Sequence, residues 1–225
     1  MPEKTRSRFA SATSLEALRC SVADTAGRIA LRSVLYSRLV DVEESIRSRR
    51  TIKAFEPEPV DRTTLDELLE LARWAPNHNL TNPWRFRVLG PASLGQLKEA
   101  AAAIAVEGAP AGADLEKVGE TAAAKLDRAP TLVVCSVVQS GEPVQDEEDR
   151  YAAACAAYVV LLGAHGRGLA GYWRTPAVLR SDAGRRAVGL GENEHFIGLL
   201  HLGRARQATE PPGRDGPESY VDYLD

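Results

Sequence analysis

The densest run of chemically capable side chains is the basic segment Arg47-Ser48-Arg49-Arg50-Thr51-Ile52-Lys53. A phosphate monoester carries close to two negative charges and three acceptor oxygens near neutral pH. Arginine offers a planar set of N–H donors to such oxygens, and a threonine hydroxyl adds another donor. Each charge-assisted bond contributes about 1.5–3 kcal/mol. The segment could therefore anchor a phosphate, although by itself the run is more typical of a solvated, charged helix end.

Three further segments could contribute to a site for a flat ligand. Two prolines bracket the polar loop of residues 75–84, and its amides and the imidazole of His78 suit either ligand contact or a rigid helix-to-strand connection. Residues 171–176 combine two aromatic rings with an arginine, which suits either the lining of a ring or a packed strand end. Arg204 and Arg206 are alternate residues that share one face of an extended segment, where they could complete a phosphate site or be surface charge.

The elements that must position these segments are mostly helices with three or four strands between them. We predict helices over residues 41–48, 63–75, 93–106, 114–128, 150–167 and 181–188, and strands over 84–89, 131–138 and 196–202, with 171–175 a strand end or loop. Thr63 is expected to start the second helix, with Asp66 in capping-box spacing. Residues 139–149 are acidic and predicted to be a loop. This order indicates an α+β or mixed α/β layer structure around a small sheet.

Composition limits the classes of protein that this chain can be. It has 225 residues, 44% hydrophobic and 26% charged, with a formal net charge of −3, so any positive site must be local. Residues 1–40 are Arg-rich and superficially suit a transit peptide, but a poorly ordered basic extension or an early start site is the simpler interpretation. We predict an organised domain over residues 41–225, with a surface tail from about residue 207.

Several kinds of site and location are not indicated. The three cysteines form no CxxC pattern, which favours a reducing compartment, so we expect a cytoplasmic protein. The four histidines show no metal-ligand spacing, and no dinucleotide or P-loop fingerprint occurs. No apolar stretch reaches the length of a membrane span and no secretory signal is predicted, so we expect no membrane partner. The basic segment lacks the interleaved aromatics of nucleic-acid surfaces, so no nucleic-acid partner is predicted.

Taken in order, these segments resemble the nitroreductase family of FMN-dependent oxidoreductases over roughly residues 41–210. Ser48 to Phe55 looks like the family's opening RRS-x-[RK]-x-F, and the likeness continues through residues 75–84, 171–175 and 198–203. The His78 and Trp173-Arg174 details look most like the YdjA subgroup of NAD(P)H nitroreductases. The sequence departs from the family pattern at three positions: Thr51 replaces serine, Asn82 replaces glutamine, and Leu80 replaces a small polar residue.

The resemblance implies a three-layer α-β-α fold of the α+β class, with a small mixed or antiparallel central sheet, and an obligate homodimer with FMN at the subunit interface. The flavin would carry the chemistry, so no catalytic side chain is implied. Electrons would pass from NADH or NADPH to a nitroaromatic, quinone or similar small acceptor by a ping-pong mechanism. A flavin-binding storage or sensor protein without turnover, and a flavin-dependent dehydrogenase of another substrate, remain alternatives.

The resemblance also implies which residues bind FMN. Those at the phosphate and ribityl end are Arg49, Arg50 and Thr51, with Lys53 near the pyrimidine ring. The flavin of the other subunit would be reached by Trp74 and His78. The isoalloxazine would be lined by Trp173, Arg174 and Thr175, while Arg204 and Arg206 would close over the phosphate.

Overall fold

A four-stranded antiparallel sheet in the order β1-β2-β4-β3 forms the middle layer of the fold. The computed structural model describes residues 42–207, 209–210 and 212–224, so the predicted extension over residues 1–40 lies outside the described residues. The strands are β1 (Trp84–Val88), β2 (Thr131–Val138), β3 (Ala170–Arg174) and β4 (Glu194–Gly203). The predicted strands are confirmed, and residues 170–174 form a full strand rather than a loop.

Strand burial follows the sequence pattern. The apolar run Leu132–Val137 is completely buried because β2 lies between two strands and is covered on both faces. β1 is an edge strand in which Arg85 is exposed between the half-buried Trp84 and Phe86, but the alternation ends there, because Arg87 is half-buried and Val88 is exposed. The sheet is antiparallel throughout, which decides between the mixed and antiparallel alternatives.

Helices cover both faces of the sheet, which confirms the three-layer α+β prediction. Their bounds are α1 (Val42–Ser48), α2 (Arg62–Ala72), α3 (Pro91–Glu107), α4 (Leu115–Ala124), α5 (Pro143–Gly166) and α6 (Asp182–Ala187). On one face, α2 and α5 bury Leu68 and Val160 against Leu200 of β4. On the other, α3 buries Leu97 in the cluster that contains Leu199. Within the described residues, no helix combines the length and apolarity of a membrane span.

The start of α2 was predicted wrongly. Asp61, with extended φ and ψ of −64° and 155°, is the N-cap, and its carboxylate accepts from Thr64 N at 2.9 Å and from Thr64 Oγ1 at 2.7 Å. The helix therefore begins at Arg62 instead of Thr63. Asp66 is no cap partner, because its carboxylate accepts from Arg62 Nε at 2.8 Å. A carboxylate immediately before the helix satisfies the free backbone N–H groups directly.

The start of α5 was also misplaced, because residues 143–149 of the acidic segment form its first two turns, and only residues 139–142 precede the helix. Pro143 occupies the first turn, where a missing N–H costs nothing. Asp146 accepts from Ser140 N at 2.6 Å and from Ser140 Oγ at 3.0 Å, which holds the incoming chain. Negative side chains are favourable at a helix N-terminus, so acidity here stabilises the helix. α4 is shorter than predicted and ends at Ala124.

Candidate functional site

The basic segment lies extended between β3 and the chain that follows β4. Ile52 N donates to Gly171 O at 3.3 Å, and Glu56 N donates to Arg204 O at 2.8 Å. Thr51 forms a parallel bridge with Gly171. The main chains of three predicted site segments are thus adjacent: the basic segment, β3 and residues 204–206.

A glycine makes this arrangement possible. A side chain at Gly171 would place its Cβ 2.5 Å from Leu161 Cδ2 of α5, too close for any real contact. Glycine at this position therefore lets α5 pack directly on β3, where the basic segment joins the strand. Gly171 lies in a segment that matches the family pattern, and the packing of α5 on β3 gives a physical reason for a glycine there.

Arg49 and Arg50 are half-buried cations that keep unused donors. The Nε atoms of both are buried without a hydrogen-bond partner among the described residues. Arg50 Nη1 donates to Arg49 O at 2.7 Å, and the Arg49 guanidinium lies 5.8 Å from the ring centroid of Tyr158. A buried donor without a partner costs about 1–3 kcal/mol. An anion between these side chains would recover that cost, so this donor set fits a phosphate.

A cavity of about 260 Å³ opens beside Arg50. Its lining comes from the basic segment, the end of α5, the start of β3 and the chain after β4, namely Ser48, Arg50, Ile52, His165, Gly168, Leu169, Ala170, Ala205, Gln207 and Thr209. Thr51 and Lys53 are exposed on the opposite face of the segment from the buried Ile52. The segment therefore offers cations both to the cavity and to the surface above it.

His165 is the titratable group at this cavity that sequence reasoning missed. Its Nε2 lies 2.7 Å from Ser48 Oγ, and it is partly buried in the last turn of α5. Burial lowers the pKa of His165, and the positive charges of Arg49 and Arg50 lower it further, against a smaller opposing effect of Glu44. No spacing pattern marks this histidine, because its partner Ser48 belongs to a helix distant in the chain.

Trp173 and Arg174 are consecutive in β3 and so point to opposite faces of the sheet. The Trp173 indole packs in the cluster under α2 and α5 and donates from Nε1 to Ile197 O at 3.4 Å. Arg174 Nη1 donates to Lys125 O at 2.9 Å, at the end of α4, and burial lowers the pKa of Arg174. Thr175 is exposed just beyond the strand. A flat ring placed at this segment would therefore contact the end and the edge of β3, and would not contact both the Trp173 and the Arg174 side chain.

Arg204 and Arg206 are exposed and lie near carboxylates. Arg204 borders a second cavity of about 380 Å³ that also has Glu58 and Arg167 in its lining. Arg206 Nε lies 3.8 Å from Glu56 Oε2. Their backbones join the basic segment, while the Arg204 side chain lines a cavity with Glu58 and the Arg206 side chain lies beside Glu56. Closure of either arginine over a phosphate stays a prediction.

His78 lies at the other end of α5, whereas Trp74 follows α2, whose Leu71 packs against α5 at Gly163. His78 Nδ1 donates to Glu148 Oε2 at 2.6 Å, whereas the basic segment meets α5 at His165. These two contacts stand near opposite ends of a 24-residue helix, about 25 Å apart at 1.5 Å per residue. Trp74 is 73% exposed and donates from Nε1 to Glu70 Oε1 at 3.1 Å. Within one subunit, His78 is therefore far from the basic segment.

The loop that carries His78 is tightly held in an unusual backbone conformation. Asn79, Leu80 and Asn82 have φ values of 57°, 52° and 48°, in the left-handed region that side chains other than glycine rarely adopt. Thr81 Oγ1 donates to Asp149 Oδ1 of α5 at 2.6 Å. Leu80 is 78% exposed. The loop thus presents an apolar side chain to solvent at a fixed place.

Acidic, cysteine and histidine side chains form no metal site in the described ranges. No group of three or more of them is arranged to hold an ion. Cys135 is buried and Cys155 is exposed, both as free thiols, while Cys20 lies outside the described residues.

Comparison with known proteins adds to this geometry. Residues 46–204 match the family model described as "Nitroreductase family". The chain is 31% identical to "Putative NAD(P)H nitroreductase YfhC" of Bacillus subtilis over 172 residues, covering 75% of this chain and 87% of that protein. It is 28% identical to "Putative NAD(P)H nitroreductase YdjA" of Escherichia coli, covering 81% and 98%. The solved "FMN and NADPH-dependent nitroreductase NfnB" of Sphigopyxis sp. strain HMH superposes with a TM-score of 0.68 at 21% identity, covering 83% and 100%.

Proposed function

The chain belongs to the nitroreductase family, and from that premise we propose that it is an FMN-dependent oxidoreductase. It takes electrons from NADH or NADPH and passes them to a small organic acceptor, such as a nitroaromatic or a quinone, in two half-reactions at one site. FMN, when bound, supplies the acceptance of hydride and the donation of electrons. The names of YfhC, YdjA and NfnB support this cofactor and donor pair.

The observation that carries the proposal is the pair of buried, unpaired Nε atoms of Arg49 and Arg50. Two neighbouring cations with free donors destabilise the empty protein and are matched in charge by a phosphate dianion. Thr51 adds a hydroxyl on the same segment, at the bridge to β3. Arg49, Arg50 and Thr51 would hold the phosphate end of FMN.

The remaining predicted residues would orient the ring and tune its charge. Lys53 is exposed two residues beyond Thr51, on the same face of the extended segment. It would place a positive charge near the edge of the ring that receives electrons, where negative charge develops. Thr175 and the adjoining end of β3 would border the ring, and Arg204 and Arg206 would complete the charge around the phosphate.

A second copy of the chain would complete the site. The outer face of α5 exposes Val144, Tyr151 and Tyr158, which are 71%, 62% and 37% exposed and seven residues apart, so they lie along one stripe. Ile46 of α1 is also half-exposed. We propose that this face packs against its symmetry mate. A two-fold axis across it would bring Trp74 and His78 of one subunit toward the basic segment of the other.

The first test is spectroscopic. Purified protein should be yellow and should release FMN on heating. Anaerobic addition of NADH or NADPH should bleach the flavin absorbance, and an added nitroaromatic or quinone should restore it. Bound FMN that neither donor bleaches would instead indicate a storage or sensor protein. A protein with no affinity for FMN would refute the proposal.

A subunit-mixing test addresses the shared site. Arg49→Met should remove the phosphate contact and Trp74→Ala the contribution of the other subunit, so each homodimer should be impaired. A mixed dimer contains one site with both changes and one with neither, so random mixing should restore about a quarter of the wild-type sites. Mixtures no more active than the average of the two homodimers would show that each site lies within one subunit.

A further inference from the structure

We propose that His165 is a further ligand of the phosphate pocket and that it couples FMN binding to the uptake of a proton. A phosphate bound at Arg49 and Arg50 would draw a proton onto the imidazole, which then becomes a third cation of the pocket. This inference rests on the proposed function, since FMN is taken as the source of the phosphate. Inorganic phosphate provides a probe that does not depend on it.

Hydrogen bonding shows which nitrogen of the neutral His165 imidazole carries the proton. Ser48 Oγ lies 2.6 Å from Glu44 O and 2.7 Å from His165 Nε2. A carbonyl oxygen can only accept, so the single hydroxyl proton of Ser48 is donated to Glu44 O. Ser48 Oγ therefore accepts from His165, which places the proton of the neutral imidazole on Nε2. Nδ1 is left with its lone pair and has no partner within the described part of the chain.

The position of the ring suits a ligand contact. His165 and Arg50 line the same cavity of about 260 Å³, with the glycine and alanine residues 168 and 170 leaving open space between them. Protonation of Nδ1 would create a second donor without breaking the bond from Nε2 to Ser48. The imidazole is thus fixed by one nitrogen and can respond to a ligand with the other.

The charges around His165 predict the direction of the response. Arg49 and Arg50 from the basic segment oppose its protonation, and Glu44 from α1 favours it less strongly. A phosphate dianion would offset the two arginine charges and reverse this balance. The C-terminus of α5 also favours a cation, because the helix dipole is negative there. Phosphate binding should therefore raise the pKa of His165 and take up a proton.

A purely structural role of His165 would not change the number of protons taken up when the ligand binds. If His165 only linked α5 to α1 through Ser48, its replacement would alter stability without altering the number of protons bound with the ligand. The proton count therefore separates the two roles. FMN phosphate itself titrates near pH 6, so the count must be compared between wild type and variant, where the contribution of the phosphate cancels.

The test uses His165→Gln, which retains an N–H donor for Ser48 but cannot become a cation. His195→Gln is the matched control: His195 is at the start of β4, and burial and then Arg150, Arg180 and Arg185 lower its pKa in the same direction. Isothermal titration of apoprotein with FMN at pH 7, in buffers of different ionisation enthalpy, measures the proton count. Wild type and His195→Gln should take up a larger fraction of a proton than His165→Gln.

Affinity should follow the same pattern. His165→Gln should weaken FMN binding about tenfold at pH 6, as loss of one charge-assisted bond predicts, and much less at pH 8. Riboflavin, which lacks the phosphate, should bind wild type and His165→Gln equally. An equal proton count in wild type and His165→Gln would overturn the proposal while leaving the proposed function intact.

Inorganic phosphate gives a result even if FMN does not bind. The imidazole C–H resonances of His165, assigned by their loss in His165→Gln, can be titrated by NMR with and without phosphate. Phosphate should raise the pKa of His165 and leave that of His195 unchanged. No rise would overturn the role of His165, whereas a rise without FMN binding would refute only the cofactor.

Discussion

Replacing Arg49 by methionine should weaken FMN binding and, at the same time, spare or stabilise the empty protein. Methionine is unbranched and adaptable enough to fill most of the arginine's volume without its charge. Arg49 carries a buried Nε without a partner, so its removal takes away a polar group that the empty fold leaves unsatisfied. Most single substitutions lower stability, so a gain in stability would be diagnostic.

The two magnitudes follow from the contacts of Arg49. Loss of two charge-assisted donors to the phosphate should cost about 3–6 kcal/mol of binding, which corresponds to about a hundred- to ten-thousandfold in Kd. In the empty protein, relief of the unpaired Nε contributes about 1–3 kcal/mol, and loss of the cation–π contact with Tyr158 offsets about 0.5–1 kcal/mol. The net gain is about 0–2.5 kcal/mol, so the Tm of the apoprotein should be unchanged or up to about 5–10 °C higher.

The assay combines quenching of FMN fluorescence with thermal unfolding of the apoprotein. Arg62→Met is the matched control, because Arg62 is an exposed arginine whose guanidinium pairs with Asp66 on the surface of α2. The control should leave the Kd for FMN unchanged and the Tm nearly so. A Kd of Arg49→Met within about fivefold of wild type would refute the phosphate assignment. A clearly lowered Tm would show that Arg49 stabilises the fold in a way that its contacts do not reveal.

Three further predictions test the packing and the buried side chains of the sheet next to the site. Gly198→Ala should destabilise the protein by about 1–3 kcal/mol in urea unfolding, because the added methyl overlaps the Trp173 indole, and an unchanged midpoint would contradict that packing. Glu194→Gln should cost about 1.5–3 kcal/mol at pH 7, since it leaves the half-buried Arg87 without its charge partner. Burial alone would raise the pKa of Glu194, but the bonds from Arg87 hold it below the usual value. Its contribution is thus present above about pH 4.3 and lost as the pH falls through the lower folded-state pKa, so wild type and variant should converge in acid-unfolding curves. Cys135, whose pKa burial raises to about 12, should resist alkylation until unfolding, as peptide mass mapping can check.

The sheet and most helices could be predicted from the sequence, because the apolar pattern that marks each element lies within the element itself. The apolar run of β2 and the one-sided periodicity of α2 reflect burial that each segment carries in its own residues. The starts of α2 and α5 were misplaced because several nearby acidic residues could cap a helix. Only the folded backbone shows that Asp61 receives the first N–H groups of α2 and that Asp146 holds residues 140–141.

The candidate site was less accessible to sequence reasoning, because its contacts span distant elements. The basic segment was recognisable from composition, but its placement against Gly171 and Arg204 depends on two strands more than a hundred residues away. His165 and Tyr158 have no motif that marks them. They reach Arg49 and Arg50 because α5 crosses the whole layer. The exposed and buried faces of this Ala-rich helix are also difficult to distinguish from the sequence.

In the proposed function the two ends of α5 serve different parts of the site, one for the cofactor and one for the acceptor. One end of the helix meets the cationic segment through His165, and the other fixes the loop of residues 77–83 through Glu148 and Asp149. Two departures from the family pattern, Leu80 and Asn82, fall in that loop and share its left-handed backbone. In the proposed dimer this loop would lie beside the other subunit's flavin, and the apolar, exposed Leu80 side chain offers no hydrogen-bond donor to a phosphate, so a change there can alter the acceptor without removing a phosphate contact. Leu80→Ser should therefore change the ranking of nitroaromatic and quinone acceptors by kcat/KM without changing the Kd for FMN. A parallel loss of FMN affinity would show that the two parts are not separate.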